Sequence, residues 1–159
     1  MIKTNAMRLL DARKIRNLPH EYDAEITDGC TVADTLGEPR ERVFKTLVTA
    51  SGKGEHLVFV LPVCHELDLK AAARAAGVKS VAMIKQKELE PLTGYVHGGC
   101  SPVGMKKRFR TFIDGSAASF ETIFVSAGKR GVQMEVSPVE LADFCGAVFA
   151  PVAAEETDG

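Results

Sequence analysis

The chain has 159 residues, 45% hydrophobic and 26% charged, with a net charge of −1. Those totals describe one ordinary globular domain with a sizeable core and exclude a wholesale nucleic-acid binder, whose charge would be strongly positive. No apolar run approaches the roughly 20 residues of a membrane span, and the opening MIKTNAMRLLDARK lacks a signal-peptide core. The protein therefore reads as cytoplasmic, with Cys30, Cys64, Cys100 and Cys145 as free thiols.

Taken in order, Thr4 can cap a helix running to about Lys14. Leu18–Asp23 alternates and carries Pro19, which suits a short edge strand. Thr31–Leu36 reads as a short helix stopped by Gly37. VFKTLVTA (Val43–Ala50) and HLVFVLPV (His56–Val63) are strong strands joined by the loop SGKGE, a hairpin. Asp68 caps an alanine-rich helix ending at Gly77, and Lys79–Met83 is a short strand. Lys85–Glu90 forms a helix before Pro91. Thr111–Ile113, Glu121–Ser126 and Val132–Val136 are strand-like, with the GKRG turn of Gly128–Gly131 between the last two. Ser137-Pro138 opens a helix to about Cys145, and Ala147–Ala150 returns as a strand. The domain spans residues 1–152, and the acidic tail 153–159 is expected to fray. Hairpins and short helices link most strands, so the fold class is α+β with a curved, largely antiparallel sheet.

Two features suggest chemistry. Val43, Lys45, Leu47 and Thr49 share one face of an inner strand. Lys45 there either snorkels to an edge or presents a partly desolvated ammonium that can bind a carbonyl oxygen or phosphate. GYVHGGCSPVGMKKR (Gly94–Arg108) holds four of the fourteen glycines and ends in three cations. Gly99 to Gly104 has the span of a phosphate loop, but Met105 stands where lysine is required. The loop is then a backbone cradle for a carbonyl or oxyanion, or a plain connection. Cys64-His65 and His97-x-x-Cys100 offer zinc-type ligands at poor chelate spacing, so no metal or other cofactor is assigned. Lys106, Lys107, Arg108 and Arg110, with Lys129 and Arg130 in the second turn, form either a phosphate-binding patch or a solvated face.

These motifs together resemble one family. VFKTL around Lys45, LDLKAAARAAG at Leu67–Gly77, TGYVHGGCSPVGMKKR at Thr93–Arg108, FID at Phe112–Asp114 and IFVSAGKRGVQMEV at Ile123–Val136 are similar in order and spacing to the YbaK/EbsC family. These are aminoacyl-tRNA deacylases related to the editing domain of prolyl-tRNA synthetases. The resemblance implies a mostly antiparallel, barrel-like mixed sheet surrounded by helices. It also implies trans-editing removal of a mischarged small amino acid, most simply cysteine, from tRNA(Pro) and also from tRNA(Cys). By the same resemblance Lys45 is the essential lysine. Tyr22, Thr46, Gly98, Gly99, Ser101, Pro102, Ser126 and Gln133 line the substrate pocket. The acceptor end of the tRNA is a partner, held by Lys106, Lys107, Arg108, Lys129 and Arg130, and prolyl-tRNA synthetase is a second partner. Gln133 stands where the cysteine-specific branch carries an aspartate, and His97 and Cys100 replace apolar loop residues.

The resemblance further implies a substrate-assisted mechanism. The substrate's thiol attacks its own carbonyl, Lys45 anchors the aminoacyl end, and the Gly98 and Gly99 amides steady the carbonyl oxygen. Two rival readings stand beside it: a non-catalytic module that recruits tRNA or a synthetase, and a deacylase for alanyl-, seryl- or prolyl-type charged tRNA.

Overall fold

The computed structural model describes residues 3–156. Helix α1 (Asn5–Ala12) is capped by Thr4, whose hydroxyl accepts from Met7 N. Strand β1 (Asn17–Glu21) follows, then α2 (Gly29–Leu36), β2 (Phe44–Ser51), β3 (His56–Pro62), β4 (His65–Leu67) and α3 (Leu69–Ala76). The second half runs β5 (Val81–Met83), α4 (Gln86–Thr93), β6 (Arg110–Asp114), β7 (Ile123–Lys129), β8 (Val132–Val136), α5 (Pro138–Cys145), β9 (Val148–Ala150) and β10 (Ala153–Glu156).

The strands form a five-stranded sheet in the order β5-β2-β3-β6-β9, a three-stranded sheet β1-β8-β7 and a two-stranded ribbon β10-β4. Five of the seven pairings are antiparallel; β3–β6 and β6–β9 are parallel. A parallel bridge between Val43 and Phe124 links β2 to β7. The sheet is thus mixed and mostly antiparallel as expected, but it is divided into separate sheets instead of closing as a barrel.

The continuous apolar run of β3 is explained by burial on both faces. Leu57, Phe59 and Leu61 pack against the alanines of α3, with the Phe59 and Phe112 rings stacked 5.3 Å apart. Val60 on the opposite face joins Phe44 and Ile113 in the main core, which also holds Met7 and Leu10 of α1, Met134 of β8 and Leu141 of α5. Each fully buried side chain of this size contributes roughly 1.5–3 kcal/mol relative to exposure, and that drives the two sheets together.

Several expectations are corrected. Helix α2 begins at Gly29, two residues before the expected Thr31, and Asp28 caps it, accepting from Thr31 N and Thr31 Oγ1. Helix α4 continues through Pro91 and stops at Gly94, in the left-handed region with φ 84°. The missing N–H at Pro91 removes one hydrogen bond, but only two helical residues remain beyond it. Ala153–Glu156 do not fray: they form β10, anchored where Asp114 Oδ1 accepts from Val152 N and Ala153 N at 3.0 Å each. Residues 157–159 of the expected tail lie outside the described residues. Cys30 and Cys64 are not free thiols but a disulfide with a Cα–Cα distance of 5.3 Å, because the first turn of α2 lies on the turn after β3. Cys100 and Cys145 remain free.

Candidate active site

The site follows from a difference in strand length. β2 pairs with β3 along Phe44–Ala50, but β5 reaches only Thr49–Ser51 on its other edge. Val48 O accepts from Ile84 N, and Val43 bridges to Phe124. Between those points, the far edge of Phe44–Leu47 has no strand partner among the described residues. Val63 N donates to Val43 O, so the amide groups of Val43 and Lys45 turn toward β3 and those of Thr46 turn outward. Phe44 faces Pro62, which has no N–H to offer.

A cavity of about 420 Å³ opens at this edge, within the size range of small-molecule sites. Its walls are Val43 and β2 from Phe44 to Val48, Thr27, Asp28 and Gly29 at the head of α2, the Ile84–Leu89 segment, and His97 and Gly98 of the glycine loop. Tyr22, Ser126 and Gln133 close it from the three-stranded sheet, where Gln133 of β8 lies directly between His20 of β1 and Ser126 of β7.

Lys45 is half-buried in this wall. Desolvation lowers its pKa, while the charges of Glu66 and Asp28 act in the opposite direction. Gln133 brings no charge to Lys45; the carboxylates that act on it are Glu66 of β4 and Asp28, the α2 cap. Sequence reasoning missed both. Asp28 could have been found as a helix cap three residues before Thr31, but Glu66 sits on a three-residue strand with no periodic signal.

Two polar atoms in the wall are unsatisfied. Thr46 Oγ1 and Gln133 Oε1 are buried with no hydrogen-bond partner among the described residues, and both residues line the cavity. Ser126 Oγ accepts from Gly128 N at 3.1 Å and keeps its hydroxyl proton to donate. Cys100 also lines the cavity, but burial pushes its thiol up to about 12, so it is not a thiolate nucleophile near neutral pH.

The glycine loop divides in its contributions. Gly98, with φ 85°, lines the cavity. Gly99 does not: its N–H donates to Val96 O at 3.0 Å, and a side chain on it would meet Arg130 N at 3.0 Å. Ser101 is fully buried, with its Oγ accepting from Val103 N at 3.2 Å, and the Pro102 carbonyl accepts from the Cys145 thiol. Gly99, Ser101 and Pro102 therefore shape the loop from behind. Tyr22, Lys45, Thr46, Gly98, Ser126 and Gln133 face the cavity.

The cations separate as well. Lys129 and Arg130 are exposed on the turn that packs against Gly98-Gly99, and Arg130 Nε donates to His97 O at 2.8 Å, at the cavity rim. Lys106 packs over Gly94, and Arg108 lies against Gly146 at the C-terminal end of α5. Arg110 is paired with Glu55 and donates to Ala76 O, so it stands outside any patch.

The cavity joins a cationic wall, unsatisfied hydrogen-bonding atoms and a basic rim. Such a cavity can hold a small polar group attached to an anionic chain. Comparison with known proteins gives that arrangement its class: residues 24–144 match the aminoacyl-tRNA editing domain, and the chain belongs to that family. It is 42% identical over 156 residues, 97% of this chain and 95% of the other, to EbsC of Enterococcus faecalis, a proposed Cys-tRNA(Pro)/Cys-tRNA(Cys) deacylase. Among solved structures it is similar to the hypothetical protein APE2540 (25% identity, TM-score 0.85, covering 92% of this chain and 97% of that one). It shares the fold of a proposed trans-editing enzyme for prolyl-tRNA synthetase (23% identity, TM-score 0.82, covering 98% and 100%). No helix among the described residues is long and apolar enough to cross a membrane.

Proposed function

We propose that this protein, an aminoacyl-tRNA deacylase of the editing family, removes cysteine from mischarged tRNA(Pro) and also from tRNA(Cys), acting in trans in the cytoplasm. The observation that carries the reading is Lys45, a half-buried ammonium within the electrostatic reach of Asp28 and Glu66, on the wall of a cavity large enough for the aminoacyl end. The likeness to EbsC supports cysteine as the amino acid.

The ester is already activated, and the one cysteine in the cavity is held protonated. The substrate therefore supplies its own nucleophile. Its thiol sulfur attacks the ester carbonyl carbon, the C–S bond forms, and the C–O bond to the ribose breaks. The thiol proton ends on the ribose oxygen, and the amino acid leaves as a cyclic thioester. Lys45 fixes the carbonyl and stabilises the charge that develops on its oxygen. Gly98 is the loop amide at hand for the same oxygen; its N–H donates to no described residue, whereas that of Gly99 is committed to Val96. Lys129 and Arg130 at the rim receive the phosphates of the acceptor end, with Lys106, Lys107 and Arg108 extending the track. Prolyl-tRNA synthetase is the partner that would deliver mischarged tRNA.

The test is single-turnover deacylation of cysteinyl-, alanyl-, seryl- and prolyl-tRNA by the wild type and by Lys45→Ala. Cysteinyl ester should be cleaved fastest, and Lys45→Ala should lose about 10²–10³-fold, the scale of removing one preorganised charge-stabilising group. Equal rates on esters without a thiol would overturn the substrate-assisted step. Full activity in Lys45→Ala would overturn the role of the lysine, and a wild type inert on all four would mark a binding module.

A further inference from the structure

We infer that Thr46 and Gln133 form a neutral subsite that accepts hydrogen bonds from the free α-amino group of the esterified amino acid, making the pocket selective for an unblocked amine. The inference rests on the deacylase reading and assigns a part of the substrate that the reading leaves unplaced.

Among the described residues, three buried side-chain polar atoms lack a partner: Asn17 Oδ1, Thr46 Oγ1 and Gln133 Oε1. Buried polar atoms are normally paired, because an unpaired one forfeits its hydration. Asn17 sits at the α1–β1 junction, where its Nδ2 bonds Asp11 and Ile15 O. The other two line one cavity, although they come from different sheets. Two unsatisfied atoms on residues that line one cavity from unrelated strands point to a ligand group that satisfies both.

The chemistry of the atoms selects the group. An amide oxygen only accepts, and a threonine hydroxyl can accept, so the ligand must present donors. Near the ester of a charged tRNA the donors are a ribose hydroxyl, the thiol and the α-amino group. A hydroxyl has one proton, and a thiol is a weak donor. An ammonium has three and can serve both oxygens at once. Lys45 reinforces the choice: the cation of the cavity attracts the carbonyl oxygen and repels the ammonium, and it also offsets the pull of the Asp28 carboxylate in the same wall. A carboxylate at position 133 would instead compete with Asp28 and Glu66 for Lys45. The neutral amide leaves the electrostatic balance at Lys45 unchanged and accepts from the amine in either protonation state.

The experiment compares tRNA(Pro) carrying cysteine with tRNA(Pro) carrying 3-mercaptopropionate, which keeps the thiol and lacks only the amine. Each enzymatic kcat/KM is divided by the spontaneous cleavage rate of the same ester. The wild type should prefer the cysteinyl ester by about ten- to a hundredfold, the range expected when buried acceptors lose their donor. In Gln133→Leu and in Thr46→Val that ratio should fall toward one, with the change in KM and kcat on the cysteinyl ester alone. A wild-type ratio near one, or a ratio preserved in both variants, overturns the inference. The wild-type comparison needs no variant to fold. If the wild type cleaves neither ester, the deacylase reading itself has failed.

Discussion

Gly29 is the point where the head of α2 meets the turn after β3, and the contact predicts its own measurement. An alanine Cβ at this position would stand 2.8 Å from Val63 Cβ and 2.9 Å from Val63 Cγ1. Val63 cannot yield: it is β-branched and stiff, 8% exposed, and tied through its N–H to Val43 O at 2.9 Å. The neighbouring Cys30–Cys64 disulfide fixes the same two segments. Overpacking of this kind costs about 1–3 kcal/mol, whereas alanine in a helix gains about 0.5–1 kcal/mol over glycine. The clash wins, and Gly29→Ala should be destabilised by about 1–2 kcal/mol, a fall of about 2–8 °C in midpoint at the sensitivity of a domain this size. Urea unfolding by linear extrapolation, with m unchanged, gives the value. Adding Val63→Ala should recover part of the loss as a coupling of about 0.5–3 kcal/mol between touching residues. Deacylation should fall in Gly29→Ala too, because Thr27 and Asp28 ride on the same turn. An alanine variant as stable as the wild type would refute the reasoning, since helix propensity would then have outweighed the contact.

Reduction of the Cys30–Cys64 disulfide, which closes a loop with a sequence separation of 34, should lower stability by about 3–4 kcal/mol on the loop-entropy estimate. Identical urea midpoints with and without dithiothreitol would show that the pair contributes nothing. Burial pushes the carboxyl of Asp114 up, but hydrogen bonds from Ser116, Val152 N and Ala153 N outweigh it and hold the group below the usual carboxylate range. A carboxyl depressed in the folded state contributes stability that is present above its unfolded pKa of about 3.9 and is lost as pH falls through the folded value. Asp114→Asn should therefore flatten stability against pH in the acid range, read by urea unfolding from pH 7 downward; an unchanged profile would exclude the effect. Replacing Lys129 and Arg130 with alanine should reduce the dependence of log affinity for tRNA on log salt by about 1–2, the slope of two phosphate contacts. A slope that stays put would make the turn a solvated face.

Much of the fold was legible because local chemistry set it. Thr4, Asp68 and Ser137 cap the helices they were expected to cap, and Pro19 lies on the edge strand β1, where its missing N–H costs no ladder bond. What could not be read depends on contacts distant in sequence. The parallel pairing of β3 with β6 joins residues about fifty apart, such as Val58 and Thr111, and nothing in either strand names the other. β4 and β10 are too short for periodicity, and an acidic tail carries no strand signal until Asp114 binds its leading amides. The glycine loop was legible as a site but not in its parts. Gly98 and Gly99 are alike in sequence; only the turn that commits the Gly99 N–H to Val96 O and the approach of Gly98 to Thr27 separate the one that faces the cavity from the one that shapes it.

The position of Lys45 follows from this arrangement of strands. An unpaired strand edge usually invites pairing with another chain, and proteins cover it with a helix or loop. Here β5 stops short, and α2 and the glycine loop stand off from the Phe44–Leu47 edge instead of sealing it. The gap they leave is the cavity. A lysine within it is partly desolvated, which weakens its charge, so carboxylates must stand near enough to preserve it. Asp28 comes from the helix that forms the lid of the gap and Glu66 from the strand beyond it. The charge balance of the site thus depends on the same two segments that Gly29, Val63 and the disulfide hold together. A change that loosens α2 should open the cavity and alter the electrostatics of Lys45 in one step. Position 133 is then relieved of countering the lysine and is available to read the substrate.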